Sequence, residues 1–81
     1  KELSVGWTLI ENKQIEKTYT FSTYLEGIAF CNKVAELSEA EGHHPFIHIN
    51  YKEVKIILFT HKINGLHEND FIVASKCDLL I

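Results

Sequence analysis

Residues 46–58 have the sequence FIHINYKEVKIIL, in which two alternating runs of apolar residues flank a short polar break. Alternation with a period of two is typical of β-strands that are buried on one face. We therefore predict a hairpin that turns at Lys52 and Glu53. In this register the core face contains three cross-strand pairs, Tyr51–Val54, Ile49–Ile56 and Ile47–Leu58. The same register places His44 opposite His61.

The other face of this hairpin mixes apolar and titratable side chains. Its residues are His44, Phe46, His48, Ile57, Phe59 and His61. The mixture is too apolar for a solvated face and too polar for a core. We interpret it as a surface that faces a ligand or a partner.

A first hairpin and a long helix are predicted upstream. Trp7 to Ile10 and Ile15 to Phe21 are β-prone and are separated by the turn-prone residues 11–13. The helix is expected to begin after the capping box Thr23-x-x-Glu26 and to stop at Gly42. Its predicted apolar face consists of Tyr24, Ile28, Phe30, Cys31, Val34, Ala35 and Leu37.

The last predicted helix runs from Glu68 to Leu80 and has apolar residues on two sides. The broad side, which we expect to face the core, carries Phe71, Val73, Ala74, Cys77 and Leu80. Ile72 and Leu79 project from the other side. In a small domain, a second apolar side predicts burial against another subunit.

The resulting element order, ββαββα, implies an α+β fold in which a four-stranded antiparallel sheet carries helices packed on one face. The 81 residues, 46% of them hydrophobic, are expected to form a single domain spanning residues 1–81. A domain of this size has a small core and is marginally stable alone.

Composition argues against several classes of function. The formal charge is −3 without a lysine or arginine cluster, which argues against direct nucleic-acid binding through phosphate contacts. No apolar run is long enough to cross a bilayer and no signal peptide opens the chain, so we expect an intracellular, soluble protein. Cys31 and Cys77 lack metal-binding spacing and are expected to be free thiols. The chain has no methionine, which suggests a processed or trimmed start.

Three histidines, His43, His44 and His61, are the candidate functional side chains. Imidazole, with an unperturbed pKa of about 6.5, can give or take a proton near neutral pH. The alternatives are a structural hydrogen-bonding role and a zinc site. Adjacent histidines lack chelating spacing, so we expect no metal. His48 and His67 are expected to be solvated.

A longer pattern connects these histidines to other residues along the chain. It has the spacing Glu-x3-His-His-Pro-x5-Tyr-x9-His-x8-Asp and comprises Glu39, His43, His44, Pro45, Tyr51, His61 and Asp70. Gly6-Trp7, Tyr19-x-Phe21, Thr60-His61 and Gly65-Leu66 extend it over nearly the whole chain. In this pattern the sequence resembles the pterin-4a-carbinolamine dehydratases.

The resemblance implies dehydration of a 4a-hydroxytetrahydropterin to the quinonoid dihydropterin, in tetrahydrobiopterin recycling and without a cofactor. It implies that His43 and His61 transfer protons and that His44, Glu39, Thr60 and Asp70 belong to the substrate-binding site, with Glu39 as an orienting partner for a histidine. A solvated role for Glu39 and a helix-dipole role for Asp70 stay open.

The resemblance also implies a homo-oligomer, a tetramer built as a dimer of dimers, in the cytoplasm and possibly also the nucleus. Two other functions are considered. Animal members of the family act as dimerisation cofactors of a transcription factor, so a protein-binding module is the alternative. A domain that binds pterin without turnover is a third hypothesis.

The sequence departs from the family pattern at several positions. Gly42 and Asn69 stand where some members have an acid and an arginine, which affects how the pterin edge would be held. His67 replaces the usual serine or threonine before the last helix and is expected to cap it less well. Only Lys1 to Val5 precede Trp7, so the family's N-terminal helix is expected to be short or absent.

Overall fold

The computed structural model describes residues 6–63 and 65–81, except for the side chain of His61. The expectation for an N-terminal helix falls on residues 1–5 and lies outside the described residues. Two β-hairpins are each followed by a helix. The elements are β1 (Thr8–Ile10), β2 (Gln14–Thr20), α1 (Tyr24–Glu41), β3 (Phe46–Asn50), β4 (Glu53–Leu58), a 3₁₀ turn (His61–Ile63) and α2 (Glu68–Asp78).

The four strands form one antiparallel sheet in the order β1-β2-β4-β3. The predicted α+β fold and element order are therefore confirmed. The first hairpin turns at residues 11–13, as expected, with Glu11 and Asn12 at φ angles of 51° and 59°. The backbone N–H of Lys13 donates to the carbonyl of Ile10 and closes the turn.

The predicted register of the second hairpin is wrong, because the turn lies one residue earlier than expected. The turn lies at Tyr51 and Lys52, so that Ile49 pairs with Val54 and Ile47 with Ile56. Tyr51 adopts a φ of 54°. The carbonyl of Lys52 accepts a 2.9 Å hydrogen bond from Phe21 N–H, which ties the turn to the end of β2. Moving the turn by one residue changes every partner by two, so both registers give the same faces and alternation cannot separate them.

The predicted pairing of His44 with His61 is also wrong. Strand β3 begins at Phe46 and β4 ends at Leu58, so neither histidine lies in the ladder. Thr60 instead forms an isolated bridge with Gly65, and His61 begins the 3₁₀ turn. Pro45 has no N–H to donate at this point of the chain.

Both helices pack on the same face of the sheet, as predicted. The buried core consists of Trp7, Ile15, Tyr19, Phe30, Val34, Val54, Ile56, Leu58, Val73, Ala74 and Cys77. The buried side of α1 is narrower than predicted, since Ala35 is exposed and Tyr24 is 48% exposed. It is centred on Gly27, Phe30, Val34 and Ser38. A Cβ on Gly27 would lie 3.3 Å from Val54 Cγ2, so the small residue allows α1 to approach β4 closely.

The ends of α1 lie at the predicted capping residues, but the return bond of the predicted capping box goes to Ser22 instead of the N-cap Thr23. Thr23 Oγ1 accepts from Glu26 N–H, and the Glu26 carboxylate accepts from Ser22 N–H, both at 3.1 Å. Gly42 ends the helix with a φ of 66°. Helix α2 ends at Asp78, two residues before the predicted Leu80. No helix in the described part of the chain is long and apolar enough to span a membrane.

A second structural centre ties the end of α2 to the first hairpin. Asp78 accepts hydrogen bonds from Trp7 Nε1 at 3.1 Å, Lys17 Nζ at 2.8 Å and Tyr19 OH at 2.6 Å. Burial opposes ionisation of Asp78, but these three donors outweigh it and lower the pKa of the carboxyl. Burial and the Asp78 carboxylate raise the pKa of Tyr19.

The two cysteines are free thiols, as predicted, with Cys77 buried and Cys31 half-buried. Burial, together with the adjacent Asp78, raises the pKa of Cys77 to about 12. Cys77 therefore behaves as a small apolar core residue at neutral pH.

We expect Asp78→Asn to lower the free energy of unfolding at pH 7 by about 1–3 kcal/mol, because a buried donor loses its acceptor. The folded pKa of Asp78 lies below the ordinary value of 3.8. The carboxylate therefore stabilises the fold fully above about pH 4, and this contribution is lost as the pH falls through the folded pKa. Urea unfolding of both proteins between pH 7 and pH 2.5 measures the difference.

The exposed acid Glu53 provides the control, since Glu53→Gln should change stability little at any of these pH values. A difference in the free energy of unfolding between wild type and Asp78→Asn that stayed constant from pH 7 to pH 2.5 would contradict a stabilising role of the ionised Asp78.

Candidate active site

The two adjacent histidines lie in the irregular segment between α1 and β3. Gly42 is in the left-handed region, and the backbone N–H of His43 donates to the carbonyl of Ser38 at 3.1 Å. His44 precedes Pro45, which disfavours helical backbone at His44. The chain therefore leaves the helix at His43, and the two imidazoles contact different partners.

The buried half of the site is built around Asp70, which has no exposed surface. Asp70 Oδ1 lies 2.5 Å from His43 Nε2. Asp70 Oδ2 accepts from Thr60 Oγ1 at 2.8 Å and from the backbone N–H of His67 at 2.9 Å. One carboxylate thus joins α2, the end of β4 and the segment after α1.

This network assigns the proton positions on His43. Asp70 Oδ2 already accepts from two donors, and in the tautomer that makes Asp70 the acceptor of a third, Nε2 of His43 carries the hydrogen that lies toward Oδ1. Nδ1 is then the ring nitrogen that can take up or release a proton. The tautomer follows from the network of donors and acceptors.

The N-terminus of α2 supports the same carboxylate. His67 is the N-cap, and its Nδ1 accepts from Asn69 N–H at 3.3 Å. Asp70, at the third helical position, accepts in return from His67 N–H, which completes a capping box. The structure thus places His67 in the expected capping position, and the residue is exposed to solvent, as the sequence predicted. That His67 caps α2 less well than serine or threonine would stays a prediction.

The exposed half of the site consists of His44 and Glu39. His44 Nε2 lies 2.6 Å from a Glu39 carboxylate oxygen, and their side chains are 61% and 78% exposed. Glu39 therefore pairs with a histidine, and this histidine is His44. Solvent screens such a pair strongly, so its value is in orienting the ring more than in stability.

The remaining residues of the sequence pattern are placed differently. His61 directly follows Thr60, and its side chain lies outside the described part of the structure. Tyr51 lies in the β3–β4 turn, at the other end of β3 from His44, and its ring stacks with Tyr24 at a centroid distance of 6.4 Å. The pattern therefore combines residues of the site with a residue of the distant hairpin turn.

Chemically, the arrangement provides two imidazoles on adjacent residues, each oriented by its own carboxylate. The His43 side chain is 14% exposed and that of His44 is 61% exposed. Paired groups in unlike environments are suited to acid–base chemistry. Among the side chains that the structure describes, no group of three or more histidine, cysteine, aspartate or glutamate residues is arranged to hold a metal ion.

Sequence reasoning missed the role of Asp70 as the acceptor of three donors. The available signal was the spacing of His67 and Asp70, which is that of an N-cap and an acid three residues later. The contact of Thr60 with Asp70 had no local signal, because ten residues and a 3₁₀ turn separate them.

The fold and this histidine–carboxylate centre define a class of small α+β proteins, and comparison with known proteins identifies the family. The sequence profile described as Pterin 4 alpha carbinolamine dehydratase matches residues 1–80. The chain belongs to this family.

Relatives and solved structures agree with this assignment. A Vibrio vulnificus (strain YJ016) protein, whose name assigns it provisionally as a pterin-4-alpha-carbinolamine dehydratase, is 46% identical over 79 residues, which cover 94% of this chain and 72% of the relative. A Methylococcus capsulatus relative with the same name is 51% identical over 67 residues, covering 83% of this chain and 59% of its own length.

Two solved structures have the same fold. A transcriptional coactivator/pterin dehydratase from Brucella melitensis superposes with a TM-score of 0.88 at 27% identity, covering 94% of this chain and 82% of the other. A pterin dehydratase-like protein identified as a RuBisCO assembly factor in the alpha-carboxysome superposes with a TM-score of 0.78 at 27% identity, covering 93% and 88%.

We expect Asp70→Asn to lower the free energy of unfolding by about 1–3 kcal/mol, because the amide –NH2 group would face one of the three donors and leave it unsatisfied. Chemical denaturation at pH 7 measures this loss. Glu36→Gln is the control, since Glu36 is an exposed acid on α1. Equal stability of the two variants would show that the three donors around Asp70 do not require its carboxylate.

Proposed function

We propose that this protein dehydrates a 4a-hydroxytetrahydropterin to the quinonoid dihydropterin and water. The observation that carries the proposal is the contact of His43 with the fully buried Asp70, within a chain of the dehydratase family. This contact leaves one imidazole nitrogen available for proton transfer.

The reaction requires two proton transfers and no change in oxidation state. The bond between carbon 4a and the hydroxyl oxygen breaks while an acid protonates that oxygen, and water leaves. A ring nitrogen of the pterin loses a proton to a base, and its electron pair forms the new double bond. General acid–base groups typically contribute about 10²–10⁴-fold to such steps.

We assign the proton transfers to His43 and His61 and the substrate contact to His44, oriented by Glu39. The assignment of His61 rests on the family resemblance. Asp70 orients His43. Thr60, first predicted to contact substrate, donates its hydroxyl to Asp70, and we assign it a positioning role. Imidazoles suffice for this chemistry, so the proposal includes neither metal nor cofactor.

We expect His43→Ala and His61→Ala each to lower dehydratase turnover by about 10²-fold or more, the range removed with a general acid or base. The measurement is the rate of quinonoid dihydropterin formation by the purified protein, with circular dichroism as the test of folding. His48→Ala is the control, because His48 is exposed and lies in β3 away from Asp70.

Turnover near the wild-type rate in His43→Ala would remove His43 from the mechanism. The assay is repeated after treatment with a strong chelator, which should leave the rate unchanged. Loss of activity that zinc restores would overturn the metal-free assignment.

A protein-binding module is the second candidate function. The two solved relatives are described as a transcriptional coactivator/pterin dehydratase and as a RuBisCO assembly factor. In this chain, Ile72 on α2 is 37% exposed and Leu79, the C-cap of α2, is 82% exposed. Pterin binding without turnover is a third possibility, and the turnover assay separates it from catalysis.

The same two side chains support a homo-oligomer, which we propose is a tetramer formed as a dimer of dimers. Burial of one such side chain stabilises an assembly by about 1.5–3 kcal/mol.

We expect the combined replacement of Ile72 and Leu79 by Glu to dissociate the tetramer, as measured by sedimentation at micromolar concentration. Leu25→Glu is the control, since Leu25 is 75% exposed on α1. A wild-type protein that sediments as a monomer would contradict this proposal.

A further inference from the structure

Two phenylalanines form an aromatic pair on the sheet face that does not carry the helices. The ring centroids of Phe46 and Phe59 are 5.4 Å apart with an interplanar angle of 39°. Phe46 is 48% exposed, and Phe59 is half-buried. Neither residue belongs to the buried core.

This pair is connected to both halves of the candidate site by short lengths of chain. Phe46 follows His44 by two residues, which in extended backbone is about 7 Å. Phe59 directly precedes Thr60, whose hydroxyl contacts Asp70. Successive side chains of an extended segment point to opposite faces, so Thr60 reaches the buried carboxylate while Phe59 lies on the outer face.

The rest of the described outer face has a different chemistry. Farther along the strands, Thr18, His48, Asn50, Glu53 and Lys55 line a shallow polar depression. Lys55 there lies 3.8 Å from Glu16. The aromatic surface is thus at the end of the outer face where β3 begins, two residues after His44 in the chain, and the polar surface is toward the hairpin turn.

We propose that Phe46 and Phe59 are substrate-binding residues that hold the bicyclic ring of the pterin beside the two histidines. This inference rests on the proposed function. A planar conjugated ring packs favourably on aromatic side chains, and stacking does not require a matching pattern of hydrogen bonds. The aromatic pair thereby sets the affinity for the ring, while the histidines carry out the proton transfers.

Separate roles predict a separation of kinetic effects. Loss of an aromatic surface weakens binding of the substrate and of the transition state alike, so KM should rise while kcat changes little. Loss of a proton-transfer group should lower kcat. We expect Phe46→Ala and Phe59→Ala each to raise KM about tenfold, with kcat within about threefold of wild type.

The experiment combines turnover with direct binding. Steady-state kinetics give kcat and KM, and calorimetric titration with 7,8-dihydropterin gives Kd without turnover. Both alanine variants should raise this Kd about tenfold, whereas Phe46→Tyr, which keeps the ring, should stay near wild type. Tyr24→Ala is the matched control, because Tyr24 is an equally exposed member of an aromatic pair at the far hairpin turn. It should change neither constant.

The outcomes separate this inference from the proposed function. If wild type turns over but the alanine variants bind 7,8-dihydropterin normally, the aromatic inference is wrong and catalysis stands. If wild type binds without turnover and the variants lose binding, catalysis is wrong and the inference stands. Absence of binding by wild type overturns the inference. A change of sedimentation in Phe46→Ala with an unchanged Kd for 7,8-dihydropterin would also overturn the inference. The aromatic pair would then belong to contacts between copies of the chain.

Discussion

The position of the buried Asp70 carboxylate constrains most of the candidate site. It accepts hydrogen bonds from Thr60 after β4 and from the backbone at the start of α2, and it contacts His43 after α1. These segments are far apart in the chain and meet only when the sheet and both helices are packed. Because a buried carboxylate without donors is costly, the requirement to satisfy Asp70 also fixes the orientation of His43.

Asp78 has a comparable role at the other end of α2. Its three donors come from the segment before β1 and from β2, so the helix is attached to the sheet at both ends by a carboxylate. The two acids differ in their partners. Asp78 is matched by a lysine and two neutral donors, which keeps the pKa of its carboxyl low. Asp70 contacts an imidazole, a hydroxyl and a backbone N–H.

Local sequence signals were sufficient for the elements and for the centre of each core face, although Ile49 and Tyr51 on the predicted core face of the second hairpin are 45% and 66% exposed. Capping residues such as Thr23 and Gly42 mark the ends of α1, and alternation identifies Val54, Ile56 and Leu58 as core residues. The register of the second hairpin was not predictable in this way, because a two-residue change of partner preserves both faces. It depends on the turn at Tyr51 and on the hydrogen bond from Phe21, which is a tertiary contact.

For the site, the sequence identified which residues matter but misjudged how they meet. His43 and His44 were expected to act with His61 across a strand pair, whereas the structure connects His43 to Asp70 and His44 to Glu39. The cause is the irregular segment between Gly42 and Pro45, in which strand alternation does not apply. Adjacent residues there reach a buried acid and an exposed acid. One imidazole is therefore largely buried and contacts a buried acid, and its neighbour is exposed to solvent.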